Sequence, residues 1–201
     1  MKAISKTIMT LAFSAIVLPY QSFGTIYTAD LDGPSESPPN SSPGTGFARV
    51  NLDTILHLME VQANFSDLTS PTTAAHIHGP TESPGTGTAG VLTQLPSFEG
   101  FPLGATSGIY SNTFDTTLPS TWNPDFLNSV GSTLAAETTL QSHLSAGTAY
   151  FNIHTNNFPG GEIRGFFAPA PQADPIPEPA TLLLIGAGMT GLAATIRKRK
   201  N

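Results

Sequence analysis

Glycine and proline interrupt this chain so often that a long coiled coil is excluded. The 201 residues include 19 glycines and 18 prolines, and cysteine is absent from the sequence. Proline lacks a backbone donor and glycine weakens the interior of a helix or strand, so regular elements between them stay short. Without cysteine, the fold cannot depend on a disulfide framework either.

Basic residues are concentrated at the two ends of the chain, and the middle is acidic. Between residues 25 and 174 there are 13 carboxylates but only two basic residues, Arg49 and Arg164, which gives this stretch a formal charge of −11. Nucleic-acid binding needs clustered Lys and Arg side chains that displace counterions from phosphates. The composition therefore argues against a nucleic-acid partner and suits solubility outside the cell or cation binding.

The middle of the chain is typical of short strands joined by turns. Threonine and serine are abundant, with 26 and 18 residues, and Gly or Pro separates the apolar segments. We predict an all-β domain, an antiparallel β-sandwich or barrel. The predicted strands are 25–31, 45–52, 55–65, 73–78, 108–115, 148–155 and 162–167.

A short helical insertion is predicted late in this domain. Asn123 can cap a helix, and Pro124 suits the first helical turn. Leu140 and Leu144 continue the helical spacing toward Gly147. We expect short helices between Pro124 and Ala146 on one flank of the strands.

The two ends of the chain are typical of targeting segments. Residues 1–24 carry two lysines, an uncharged and largely apolar run over 7–18 and small residues before position 25, which predicts a secretory signal peptide cleaved after Gly24. An uncleaved anchor is the alternative. At the other end, a proline-rich linker (169–179) precedes the uncharged segment 180–196 and a basic tip. This segment predicts a transmembrane helix, with residues 180–201 as helix and tail and the tip in the cytoplasm.

The C-terminal arrangement resembles the PEP-CTERM sorting signal of exported bacterial proteins. Pro177, Glu178 and Pro179 match its signature tripeptide, and the apolar segment and basic tip follow directly. The resemblance implies processing by an exosortase-type membrane enzyme. It also implies tethering to the inner membrane before processing and a mature protein at the cell surface or outside the cell. The alternative is a simple C-terminal anchor on an exported domain.

Three histidines in two predicted strands are the strongest candidates for chemistry. His76 and His78 share one face of their strand, and Asn152 and His154 share a face of a later one. If residues 158–161 form a hairpin loop, the register sets His154 opposite Glu162 and Asn152 opposite Arg164.

These residues predict a transition-metal site. Imidazole suits both Zn²⁺ and Cu²⁺, so we expect His76, His78 and His154 to converge on one of these ions, with Glu162 as a ligand or as an orienting group. The alternative is a polar cross-strand ladder without metal. A calcium site at Asp30, Asp32 and Glu36 is a weaker alternative, because the spacing lacks the order of a known calcium loop.

Three ordered blocks of the sequence resemble the CHRD domain, the module named from chordin. They are the A-H-I-H-G-P block at 75–80, the N-I-H-T block at 152–155 and the F-P-G-G-E-I-R-G block at 158–165, within a domain that we place at 25–168. The resemblance implies an exported domain and brings no catalytic mechanism. The sequence itself has no G-x-S-x-G elbow, phosphate loop or dinucleotide fingerprint, so we expect no enzyme activity.

The expected function is binding or structural association outside the cell, with a matrix polysaccharide or another matrix protein as partner. A metal-dependent redox or storage protein on the same scaffold is the first alternative. A membrane-tethered protease inhibitor or receptor is the second, and no residue of the sequence distinguishes it.

Removing residues 180–201 should release the protein from the membrane or surface fraction into the medium or periplasm. The deletion takes away the uncharged segment and the basic tip that the anchor requires. Fractionation and immunoblotting of cells that express the full-length and shortened chains measure the shift. Identical fractionation of the two chains would contradict the sorting interpretation.

Overall fold

The computed structural model describes residues 24–171. The predicted signal peptide, the PEP tripeptide and the predicted transmembrane segment therefore lie outside the described residues. Among these residues, 24–169 belong to one compact unit. No helix within 24–171 combines the length and apolar character needed to cross a bilayer.

The domain is built on one antiparallel sheet of eight strands that curls into a half-barrel, which confirms the all-β prediction. The strands are β1 (Thr25–Asp32), β2 (Thr45–Asp53), β3 (Leu58–Ser66), β4 (Thr72–His78), β5 (Gly108–Asp115), β6 (Tyr150–Thr155), β7 (Ile163–Phe166) and β8 (Ala168–Pro169). Their order in the sheet is β4-β6-β7-β1-β2-β3-β5, and β8 pairs with β1. Every strand pair is antiparallel.

The central strands have the predicted alternation, with apolar side chains on one face and polar side chains on the other. Val50 and Val61 are paired and fully buried, whereas the neighbouring pair of Arg49 and Gln62 lies on the outer face. The start of β3 differs from the prediction, which began at Ile55. The Asp53 carboxylate accepts hydrogen bonds from the backbone N–H groups of Ile55 and Leu56, so a turn precedes the strand.

The predicted helical insertion is present as α1 (Pro124–Val130) and α2 (Thr133–Ala146), after a short 3₁₀ turn. Asn123 caps α1 through a hydrogen bond from the N–H of Asp125, and Ser132 caps α2 in the same way. Gly147 ends α2 in the left-handed conformation that favours glycine. Leu140 and Leu144 are fully buried, so α2 closes one side of the core.

A long connection without regular strands, residues 79–107, runs along the free edge of β4. Its backbone and side chains bond to the strand: the N–H of Leu92 donates to the carbonyl of Ile77, and the N–H of Phe98 donates to Ala75. The Phe98 ring is buried against the core rings of Phe114 and Phe151. These contacts fix the connection in place beside β4.

The face of β4, β6 and β7 that points away from the core carries a polar row. His76 is opposite Asn152 in the register, and Asn152 is opposite Arg164, which confirms the predicted pairing of the last two residues. Asn152 and Arg164 are both almost fully buried, although they lie outside the apolar core. A polar face therefore lies beneath the connecting segments of the domain.

Gly165 is predicted to tolerate no side chain. A Cβ built at this position would overlap the backbone carbonyl of Asp30, where β7 passes β1. Gly165→Ala should therefore lower the free energy of unfolding by about 3 kcal/mol, the range typical of severe backbone clashes. The corresponding fall in melting temperature is roughly 10 °C.

Gly90→Ala is the matched control, because a Cβ at that position meets no atom within 4 Å. Thermal denaturation followed by circular dichroism measures both variants. Equal melting temperatures for Gly165→Ala and the unsubstituted protein would show that β1 and β7 separate more easily than their packing indicates.

Candidate metal centre

The three predicted histidines meet on the polar face of the sheet. The ring centroids of His76 and His78 are 5.7 Å apart, and the His154 ring lies 5.3 Å from His76 and 5.6 Å from His78. His76 and His78 are buried, and His154 is partly exposed. Strand alternation brings the first two together, and antiparallel pairing of β4 with β6 adds the third.

Each imidazole donates a hydrogen bond to a backbone carbonyl of a connecting segment. Nε2 of His76 bonds to Pro96 at 2.8 Å, and Nδ1 of His78 bonds to Ala89 at 2.9 Å. Nδ1 of His154 bonds to the carbonyl of Pro159, also at 2.9 Å. Because a carbonyl only accepts, the proton of each neutral ring sits on the nitrogen that faces the carbonyl.

The second nitrogen of each ring is left with its lone pair unused. Nδ1 of His76, Nε2 of His78 and Nε2 of His154 are buried and have no hydrogen-bond partner among residues 24–171. Leaving buried polar atoms unpaired is costly, so three such atoms in one cluster call for a common explanation. Metal coordination would use the free lone pair of a neutral imidazole.

The cluster has the dimensions of a three-histidine metal site. One ring nitrogen from each histidine lies within 4.8 Å of those of the other two. Three atoms within 4.8 Å of one another leave a point that is at most about 2.8 Å from all of them, and zinc–imidazole bonds are about 2.0–2.1 Å long. Small inward movements of the rings, by roughly 0.7 Å each, would complete the bonds.

The environment keeps the three imidazoles neutral. Burial lowers the pKa of His76 to about 4, and the positive charge of a protonated His154 would lower it further. Burial also lowers the pKa of His78 to about 4, against the opposing effect of its hydrogen bond to Ala89. Burial lowers the pKa of His154 in the same direction. At neutral pH protons therefore compete only weakly for the lone pairs that a metal would need.

The Glu162 carboxylate is held by hydrogen bonds to its own surroundings. Both of its carboxylate oxygens are already engaged: one accepts hydrogen bonds from the Ser42 hydroxyl and the N–H of Thr69, and the other from the Thr155 hydroxyl. Burial acts to raise the pKa of Glu162, but these hydrogen bonds outweigh it and hold the pKa below its ordinary value. The carboxylate therefore bonds two loops to β6, and it is not among the side chains of the histidine cluster.

A neighbouring group of side chains adjoins the histidines and was not anticipated as part of the site. The Tyr150 ring stacks on His78 with centroids 5.0 Å apart, and the Arg164 guanidinium lies 4.9 Å from the centre of the same tyrosine ring. Glu36 faces Arg164 at 3.8 Å. Burial raises the pKa of Glu36 to about 7, although the charge of Arg164 opposes this.

The sequence held a signal for Tyr150 and, through the predicted pairing with Asn152, for Arg164, but not for Glu36. Tyr150 precedes Asn152 and His154 at spacings of two and four, so strand alternation places it on their face. Glu36 lies far away in the chain, in a loop, and no periodicity connects it to Arg164. Glu36 was also part of the calcium alternative, but it pairs with Arg164 instead. Among residues 24–171, the only cluster of metal-ligating side chains is the three histidines.

Comparison with known proteins identifies both parts of the chain. Residues 175–200 match the PEP-CTERM protein-sorting motif, which directs sorting to the cell exterior through processing by an exosortase. No curated protein and no solved structure matches the sequence. Residues 27–167 match the CHRD domain and account for most of the chain. The protein is therefore a member of the CHRD domain family that carries a PEP-CTERM sorting motif.

Proposed function

We propose that the CHRD domain of this exported protein binds one transition-metal ion, Zn²⁺ or Cu²⁺, through His76, His78 and His154. The observation that carries the proposal is that each of three neighbouring imidazoles has one buried nitrogen without a hydrogen-bond partner, and that the three rings offer nitrogen atoms within 4.8 Å of one another. Each ring is oriented from behind by a backbone carbonyl, the arrangement that metal-binding histidines usually have.

Three imidazoles without a thiolate limit the choice of metal. The chain has no cysteine, so the copper–thiolate centres of electron-transfer proteins are excluded. Imidazole ligands suit both Zn²⁺ and Cu²⁺, and Cu²⁺ binds a given set of nitrogen ligands more tightly than Zn²⁺ does. Which ion occupies the site is then decided by the metals available outside the cell.

The role that we infer is binding at the cell exterior and not turnover of a substrate. Sorting through the PEP-CTERM motif supports this location, and attachment to the membrane before processing belongs to the same proposal. Association with a matrix polysaccharide or another matrix protein is a second role that the location favours. A bound metal would serve either role, because it ties β4 and β6 to each other at the edge of the sheet.

Protein purified without chelator should contain about one equivalent of Zn²⁺ or Cu²⁺, and the His76→Ala and His154→Ala variants should not. Loss of one of three ligands should weaken metal binding by about 100-fold or more, beyond the effect of disturbing an orienting partner. Elemental analysis of the dialysed proteins measures the metal content.

His57→Ala is the matched control for these variants. His57 lies outside the cluster and hydrogen-bonds to Glu137, so its removal should leave the metal content unchanged. If the soluble, folded protein binds neither Zn²⁺ nor Cu²⁺, the proposal is overturned.

The metal-free protein should lose stability as the pH falls from about 6.5 to about 4. The pKa values of His76 and His78 are lowered from 6.5 to about 4, so the unfolded chain binds protons first and gains stability relative to the fold. The loss is at most roughly 3 kcal/mol for each histidine. Glu36 acts in the opposite direction, because its raised pKa weakens the fold as the pH rises toward 7.

A double variant isolates the histidine contribution from that of Glu36 and the other carboxylates. Urea denaturation at several pH values should give a shallower pH dependence for the His76→Gln, His78→Gln protein than for the unsubstituted protein. Equal slopes over this range would show that the two imidazoles are not held neutral by burial.

A further inference from the structure

We infer that the metal centre keeps one coordination position open and that a small anion fills it. This inference rests on the proposed metal site. The chain has five histidines and no cysteine, and the two histidines outside the cluster are engaged elsewhere. His57 pairs with Glu137, and Nδ1 of His143 lies 3.4 Å from the Thr148 hydroxyl. No further imidazole or thiolate can complete a four-coordinate site.

Carboxylates do not complete the site either. Among residues 24–171, no aspartate or glutamate joins the cluster of three histidines. Glu162, the carboxylate favoured by the sequence, has both oxygens occupied by Ser42, Thr69 and Thr155. Three protein ligands and one exchangeable position is the pattern of zinc sites that bind an external ligand, whereas structural zinc sites are closed by four protein ligands.

The charge of the centre favours an anion at this position over a neutral molecule. Three neutral imidazoles leave the full +2 charge of the metal uncompensated, and two of the three rings are buried. An uncompensated charge in a buried site is costly unless a counter-charge accompanies it. Hydroxide or another monoanion that coordinates through one atom would halve the charge of the centre.

Arg164 adds to this preference. Its guanidinium lies against one side of the Tyr150 ring, and the His78 ring stacks on that tyrosine. The charge of Arg164 therefore lies one aromatic ring away from His78, close enough for its positive field to act on the site. Glu36 partly offsets the field, since its carboxylate lies 3.8 Å from Arg164. The Glu36–Arg164 pair therefore sets how strongly the site attracts an anion.

The exposed side of the site determines the size of the ligand. His76 and His78 are buried beneath the connection 79–107, and only His154 is partly exposed. An incoming ligand must approach beside His154 and the loop that follows it. This restricts the site to compact anions such as hydroxide, azide, cyanide or chloride.

Cobalt substitution with azide as the probe tests the inference. Co²⁺ bound by three imidazoles and one exchangeable ligand should give the intense visible absorption of a four-coordinate ion. Addition of azide should shift these bands in a saturable way. The His154→Ala variant should give neither the bands nor the shift, because it lacks one of the three ligands.

Glu36→Gln tests the contribution of Arg164, because it removes the opposing carboxylate and keeps the shape of the side chain. Measured above the raised pKa of Glu36, at about pH 8.5, azide should bind this variant roughly two- to fifteenfold more tightly, the range that Coulomb's law gives for one charge at roughly 10 Å. The matched control is Glu60→Gln, which removes the carboxylate of the Arg49–Glu60 pair. This pair joins β2 and β3, which lie toward the other end of the sheet from β4 and β6. It should leave azide binding unchanged.

The possible failures of this experiment are distinguishable. Absence of Co²⁺ binding in the unsubstituted protein would overturn both the metal site and the open position. Bound Co²⁺ whose spectrum does not respond to azide would overturn only the open position. A saturable azide response that is identical in Glu36→Gln would overturn the assignment of Arg164.

Discussion

The hydrogen bond between each imidazole and a loop carbonyl is the interaction on which the rest of the site depends. It fixes the position of the proton in each ring, and it thereby decides which nitrogen is free. It also holds each ring at a defined angle without help from a charged partner. A carboxylate in the same place would raise the pKa of the ring, whereas a carbonyl leaves burial in control of protonation.

Burial of a polar face is the structural feature that makes these hydrogen bonds strong. Most antiparallel sheets place one face on the core and leave the other to water. Here β4, β6 and β7 have a second face that is covered by connecting segments, and Asn152 and Arg164 are almost completely removed from solvent there. The apolar core specifies the fold, and the covered polar face specifies the chemistry.

Sequence periodicity predicted the parts of this structure that depend on strands and helix caps. Alternation placed His76 and His78 on one face, and the glycine-rich hairpin predicted the Asn152–Arg164 pairing. Asn123 and Pro124 predicted the start of a helix because capping is a local interaction. Each of these inferences uses residues that are close together in the chain.

The remaining features depend on contacts between distant residues that no local pattern encodes. The orientation of Glu162 follows from donors in two loops and in β6, the Ser42 hydroxyl, the N–H of Thr69 and the Thr155 hydroxyl, which bond to its oxygens. The connection 79–107 has no repeating pattern, so its path along β4 was not predictable. The link between Glu36 and Arg164 depends on that same three-dimensional folding of loops.

Two of the three carbonyls that orient the rings, those of Ala89 and Pro96, come from the irregular connection, whereas all three ring-bearing positions are on strands. Ligand identity and ligand alignment are thus encoded in separate stretches of sequence. A change in the length or proline content of that connection would therefore alter how the rings are oriented, and with it the affinity of the proposed site for a metal, while the histidines stay the same. A relative that keeps the three histidines but has a shorter connection would lose the carbonyl groups that orient two of the rings.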